Sequence, residues 1–188
     1  DCKKLIILPG VIDTQVHFRE PGMVNKENIA SGSRAAVKGG VTAFCEMPNT
    51  NPLTVNMKEL SYKLKRAELT SWCDYAFFVG ATSNNIAEIP NYEKFDGCAG
   101  IKIFMGSSTG ELLINNDDLL FKIMSSGSRR VAVHAEDESR LQKRYPLFEK
   151  NKNVIDHPKW RDEKTAYLAT KKIIEISKKT FRKLHLLH

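Results

Sequence analysis

The chain has 188 residues, 41% of them hydrophobic and 27% charged, with a formal net charge of +7. That is about one domain's worth of ordinary globular composition, and no run of 18 apolar residues is present to suggest a membrane span. The basic residues are dispersed, the densest groups being KLKRAE and KKTFRK at helix ends or on outer faces. The charge therefore predicts a solvated surface with weak attraction for anions, and neither a nucleic-acid nor a membrane interface.

The chain opens on DCKKLIILPG, whose apolar stretch is too short for a signal-peptide core. Residues 11–18, VIDTQVHF, predict a strand. Strand alternation would put Gln15, His17 and Arg19 on one face, and three polar side chains there are poor packing material. A helix is expected over 26–40, stopped by Gly39-Gly40, then a strand over 41–48. Residues 55–69 read as a helix with Leu60, Leu64 and Ala67 at helical spacing. A third strand follows at 73–81 and a fourth at 100–106, GIKIFMG. The loop from 107 to 116, SSTGELLINN, is a candidate mobile active-site loop. Residues 115–127 predict a helix capped by Asn116 or Asp117. A fifth strand is expected at 129–136, a charged helical stretch from 137, a long amphipathic helix over 160–179 and a sixth strand, KLHLLH, at 183–188.

Strand–helix alternation of this kind predicts a parallel α/β sheet. Polar residues gathered near the C-terminal ends of the strands point to a (β/α) barrel, which closes with eight strands; six are legible. With Asp1 at one end and His188 at the other, residues 1–188 are expected to be the N-terminal portion of a barrel catalytic domain, truncated at both ends, and inactive alone. Cys2, Cys45, Cys73 and Cys98 show no C-x-x-C spacing and are expected to be free thiols in a reducing, cytoplasmic compartment.

The polar residues at predicted strand ends are His17 with Arg19, then Asn49, Lys102, His134 and His188. Three imidazoles converging at one face of a barrel would suit a divalent metal, with zinc the leading candidate. Lys102 lies inside an apolar strand, where an amine is costly unless paired or modified. It is read either as the partner of a carboxylate or as the carbamate formed with CO2. Asn49, in PNTNP, is read either as a turn former or as a ligand-binding amide. His157 reads as a surface or capping residue, Trp160 as a packing anchor, and the acids of HAEDE as groups favouring a helix N-terminus.

Taken together, LPGVIDTQVHFREPG, EMPNT, GIKIFMGSSTG, VHAEDE, HPKWRDE and LHLLH resemble the dihydroorotases of the amidohydrolase superfamily. The blocks run in order through the whole chain, and HFREPG with MPNT is specific. The resemblance implies a metal-dependent amidohydrolase (β/α) barrel with one or two zinc ions per full-length chain. It implies His17, a carbamylated Lys102, His134 and His188 as metal ligands, and Arg19 with Asn49 as the grip on a substrate carboxylate. The proton-shuttling aspartate of the family is not matched within these residues. The implied reaction is the interconversion of N-carbamoyl-L-aspartate and dihydroorotate in pyrimidine biosynthesis, with a small carboxylated substrate as the partner and a homo-oligomer left open. Gln15 departs from the pattern, standing where the superfamily has the first histidine of His-x-His. Two alternatives stay open: another cyclic amidohydrolase of the allantoinase or dihydropyrimidinase type, or a non-catalytic dihydroorotase-like partner subunit, which Gln15 alone favours.

Overall fold

A computed structural model describes residues 2–108, 110–149 and 153–188. The chain divides into two compact units, Asp1–Phe78 and Val79–His188.

In the first unit, β1 (Val11–Val16) leads to α1 (Ile29–Lys38), β2 (Val41–Glu46), α2 (Met57–Thr70) and β3 (Asp74–Gly80), whose last residues belong to the second unit. β1 pairs parallel with β2 and β2 with β3. Asn28 starts α1 with a side-chain bond from the Ser31 N–H, and Asn56 does the same for α2 with Glu59, which satisfies donors that a helix leaves open at its start. The core is aromatic: Phe18 and Phe44 pack at 4.8 Å, and Phe44 meets Phe77 edge-on at 6.3 Å. Ile29, Met47, Leu60 and Ala67 close it from the helices and the β2 loop.

The buried stripe of α2 differs from the apolar spacing. Leu60, Lys63 and Ala67 are buried, whereas Leu64 is only half-buried. A lysine thus takes a core position one turn after Leu60. β1 is also shorter than expected. It ends at Val16, its register with β2 shifts between Asp13 and Val16, and Arg19 has a left-handed φ of 65°. Alternation therefore does not carry Gln15, His17 and Arg19 on one strand face. His17 and Arg19 belong to the loop, and the reversal at Arg19 sets the direction of its side chain.

The second unit holds α3 (Ile89–Lys94), β4 (Cys98–Phe104), α4 (Asp117–Ser125), β5 (Val131–His134), α5 (Glu138–Glu149), α6 (His157–Trp160), α7 (Glu163–Thr180) and β6 (Leu184–Leu186). β4 pairs parallel with β5 and β5 with β6. β4 and β5 are buried almost throughout, with Ile101, Ile103, Val131 and Val133 inaccessible, as parallel strands covered on both faces are. α3 is absent from the sequence reading, because its six residues include Pro90 and offer too little periodicity. Asn116 caps α4 as expected. The long helix starts at Glu163, capped by Asp162, and Trp160 sits in α6. Trp160 is a packing anchor: its ring meets Tyr145 and Phe148 at 5.2 Å each, and its Nε1 donates to the Leu141 carbonyl at 2.8 Å. His157 packs edge-on against Trp160 at 5.7 Å.

Six parallel strands alternating with helices match the expected α/β class. All four cysteines are free thiols, with Cys98 buried and Cys2 exposed. Among the described residues no helix is long and apolar enough to cross a membrane.

Candidate functional site

The first unit presents two loops, each following a strand. The loop after β1 carries His17 and Arg19, both half-buried, and the loop after β2 carries Asn49. Backbone hydrogen bonds stitch them together: Met47 N–H donates to the Val16 carbonyl at 3.0 Å, and Asn51 N–H to the Pro21 carbonyl at 3.1 Å. The stitching requires Gly22. Its φ is 93°, and a Cβ there would lie 2.1 Å from the Asn51 carbonyl oxygen, inside any tolerable contact.

The turn at PNTNP is not held by Asn49. Thr54 N–H and Thr50 N–H both donate to the Pro48 carbonyl at 2.9 Å, and Thr50 Oγ1 donates to the Pro52 carbonyl at 2.9 Å. The Asn49 amide oxygen is buried and has no hydrogen-bond partner among the described residues. A buried polar atom left unsatisfied costs about 1–3 kcal/mol, and this oxygen takes no part in holding the turn.

Beneath the loops lie charges that the sequence reading missed. Glu20, buried, accepts from the Ile29 N–H at 2.8 Å and meets the Arg66 guanidinium through its other oxygen. Glu46, the last residue of β2, lies 2.7 Å from the Lys63 ammonium, and both are shut off from solvent. Burial pushes the Glu46 carboxyl up and the Lys63 amine down, each opposed by the other's charge.

In the second unit Lys102 is 1% exposed and its Nζ has no hydrogen-bond partner among the described residues. The ring of Phe104 lies 4.4 Å away. The carboxylate-paired reading of Lys102 is therefore not what the structure shows. Desolvation by burial pushes its pKa down to about 7, so a substantial fraction of the amine is neutral at neutral pH. His134 ends β5 and is buried; His188 lies two residues past β6, and its carbonyl accepts from the Ala135 N–H at 2.9 Å. The two rings meet edge-on at 4.8 Å. Burial, His134 and the Lys102 charge all lower the His188 pKa, which favours the neutral imidazole that binds metals.

Glu136 is the second feature that the sequence did not reveal. Of the HAEDE acids, Asp137 caps α5 by accepting from the Arg140 N–H at 2.8 Å, and Glu138 sits in the helix's first turn. Glu136 does neither. It meets His134 Nε2 at 2.6 Å and is gripped by the Arg161 guanidinium, whose Nε donates to Oε1 at 2.8 Å. Burial alone would raise its pKa, but the bonds from His134 and Arg161 prevail and hold it down at about 2. An ionised Glu136 can only accept, so His134 Nε2 is the donor in this contact and Nδ1 is left free of it. Gly106 permits this packing, since a Cβ there would lie 2.5 Å from the Glu136 carbonyl oxygen.

Among the described residues no three His, Cys, Asp or Glu side chains converge into a metal-binding group. The second unit nonetheless offers a fitting donor set once lysine chemistry is included. An orphaned buried amine on Lys102 can become a carboxylate by carbamylation, and the same unit holds His134 and His188, the latter with its neutral form favoured. In the loop after β4, Ser107 donates its N–H to Glu138 at 3.0 Å. Thr109, also in the candidate mobile segment, lies outside the described residues.

Residues 6–173 match the amidohydrolase family. A dihydroorotase from Methanosphaera stadtmanae is 34% identical over the whole chain, which spans 43% of that protein. An allantoinase from Solibacter usitatus is 38% identical over 77% of the chain, 33% of its own length. Among solved structures, the L-hydantoinase (dihydropyrimidinase) of Arthrobacter aurescens superposes with a TM-score of 0.86 at 26% identity, covering 96% of this chain and 41% of that one. The chain thus spans less than half the length of these relatives.

Proposed function

The chain belongs to the amidohydrolase family, and from that premise we propose that it contributes to a dihydroorotase, a hydrolase of cyclic amides that interconverts N-carbamoyl-L-aspartate and dihydroorotate in pyrimidine biosynthesis. The observation that carries this reading is the joined pair of loops bearing Arg19 and Asn49, one a guanidinium and the other an amide whose buried oxygen has no partner among the described residues. The identity to a dihydroorotase over the whole chain supports it.

In this reading the Arg19 fork takes the substrate carboxylate through paired N–H donors. The Asn49 amide supplies a further hydrogen bond and fixes the ring's orientation. His17, Lys102, His134 and His188 would be the residues to hold a divalent metal, with zinc proposed and one or two ions per complete chain. Lys102 first adds its neutral amine to CO2, forming an N–C bond and losing a proton, and so becomes a carboxylate on a long arm. The bound ion would make a water acidic enough to act as a nucleophile at neutral pH and would polarise the carbonyl under attack. His134, with Nε2 engaged by Glu136, would offer Nδ1. Four free thiols suit a reducing cytoplasm.

The test is substrate choice by the complete protein. Dihydroorotate and N-carbamoyl-aspartate should be turned over, with allantoin, hydantoin and dihydrouracil at least about a hundredfold slower in kcat/KM. Preference for a neutral ring would overturn the carboxylate reading. A second reading, a non-catalytic partner of another pyrimidine enzyme, is favoured by Gln15 alone. Metal-loaded protein with no turnover of any of these substrates would support it.

A further inference from the structure

We propose that the buried Glu46–Lys63 pair is a positioning device, holding the Arg19 and Asn49 loops in the one arrangement that grips a substrate carboxylate. The proposal rests on the carboxylate reading of those two residues.

The pair reaches loop backbone through Lys63. The Lys63 ammonium donates to the Met47 carbonyl at 3.1 Å, two residues before Asn49. The same Met47 donates its N–H to the Val16 carbonyl at 3.0 Å, which ties the start of the loop after β1 to it. Held by Glu46 at 2.7 Å, the ammonium therefore braces the loop after β2 at Met47 and, through Met47, the start of the loop after β1. The brace has a job to do at Arg19, whose φ of 65° is a backbone conformation that residues other than glycine seldom adopt. Anchoring Val16 through Met47 holds the segment that carries the reversed Arg19 peptide, and hence the side-chain direction that the reversal sets.

Packing alone does not explain the pair. Burying two charges carries a desolvation cost that their attraction often fails to offset, and apolar side chains of similar volume commonly serve stability as well or better. The surroundings are apolar enough for such a replacement: Phe77 lies 5.3 Å from the ammonium, and Leu60 and Met47 are buried nearby in the same core. Neither residue need reach substrate, so the pair acts through Arg19 and Asn49 and is not catalytic.

The experiment uses the complete protein, loaded with metal, in three forms beside wild type. The first is the double variant Glu46→Leu/Lys63→Met, which removes the charges together and keeps the volume. The second is Glu46→Gln, which removes the charge and keeps an acceptor beside the Lys63 ammonium. The third is Arg19→Met. The double variant should keep the thermal midpoint and metal content of wild type, while KM for dihydroorotate rises about tenfold or more and kcat falls less than about threefold. Glu46→Gln should show a smaller KM rise, about threefold, because part of the brace survives. An impaired Arg19→Met enzyme beside a double variant with wild-type KM would overturn the positioning role and leave the carboxylate reading intact. Wild-type KM in Arg19→Met would overturn both. Should the double variant lose its fold, Glu46→Gln decides: a wild-type KM there overturns the proposal, and a raised KM with unchanged metal content upholds it.

Discussion

His134 Nε2 and Glu136 Oε2 lie 2.6 Å apart although only one residue separates them in sequence. The strand ends at His134, so the backbone turns and lets the carboxylate reach back to the ring, while Arg161 fixes it from another element. The folded-state pKa of Glu136 is about 2 against an ordinary 4.5. A depressed carboxylate contributes stability that is present in full above its unfolded pKa and lost as pH falls through the folded one. Glu136→Gln should therefore destabilise the metal-free protein by about 2–3 kcal/mol at pH 7. The gap to wild type should shrink as pH falls from 4.5 and vanish near 2. Urea unfolding of both proteins across that range checks it; a difference that stays constant with pH would count against the ionised pair.

Arg19→Met in the complete protein should lose about 2–4 kcal/mol of catalytic efficiency toward carbamoyl-aspartate, a range fitting the loss of a charge-assisted contact. Metal content should not change. Steady-state kinetics with metal analysis measure both, and near-normal turnover would return the neutral-ring substrates to first place.

Lys102→Ala should remove metal and activity together, because the amine that takes up CO2 is gone. Short carboxylic acids at high concentration should restore part of both, standing in for the missing carboxylate. Metal stoichiometry with and without added acetate is the measurement. An alanine variant that still holds its full complement of metal would leave Lys102 a buried amine with no ligand role.

Gln15→His should raise metal affinity or stoichiometry. An amide oxygen is a weak, neutral, hard ligand beside an imidazole, so the proposed position served by His17 should hold its ion less firmly than the one served by His134 and His188. Two tightly held zinc ions per wild-type chain, unaltered in the variant, would instead assign Gln15 to orienting the His17 ring.

The strands and most helices were legible because their signals are local: Asn116 before a periodic run, Gly39-Gly40 after one, and apolar strands between turn residues. The candidate residues stood out as polar side chains beside apolar runs. What stayed hidden depends on groups far apart in sequence. Nothing near Glu46 names Lys63 as its partner; at most, a glutamate ending an apolar strand and a lysine one turn from Leu60 hint that each needs a counter-charge. Arg161 lies 25 residues from the carboxylate it grips. Arg19 failed for a different reason. Period-two alternation holds only while the strand does, and β1 ends before it.

Gly22 carries a lesson for anyone re-engineering substrate preference. Because its bare Cα lies against the Asn51 peptide, the segment around HFREPG and the segment around MPNTNP are two halves of one moulding. Grafting either from a relative with different specificity would set mismatched surfaces against each other. Residues 15–22 and 47–54 should be exchanged as a single cassette, with the glycine kept at the seam.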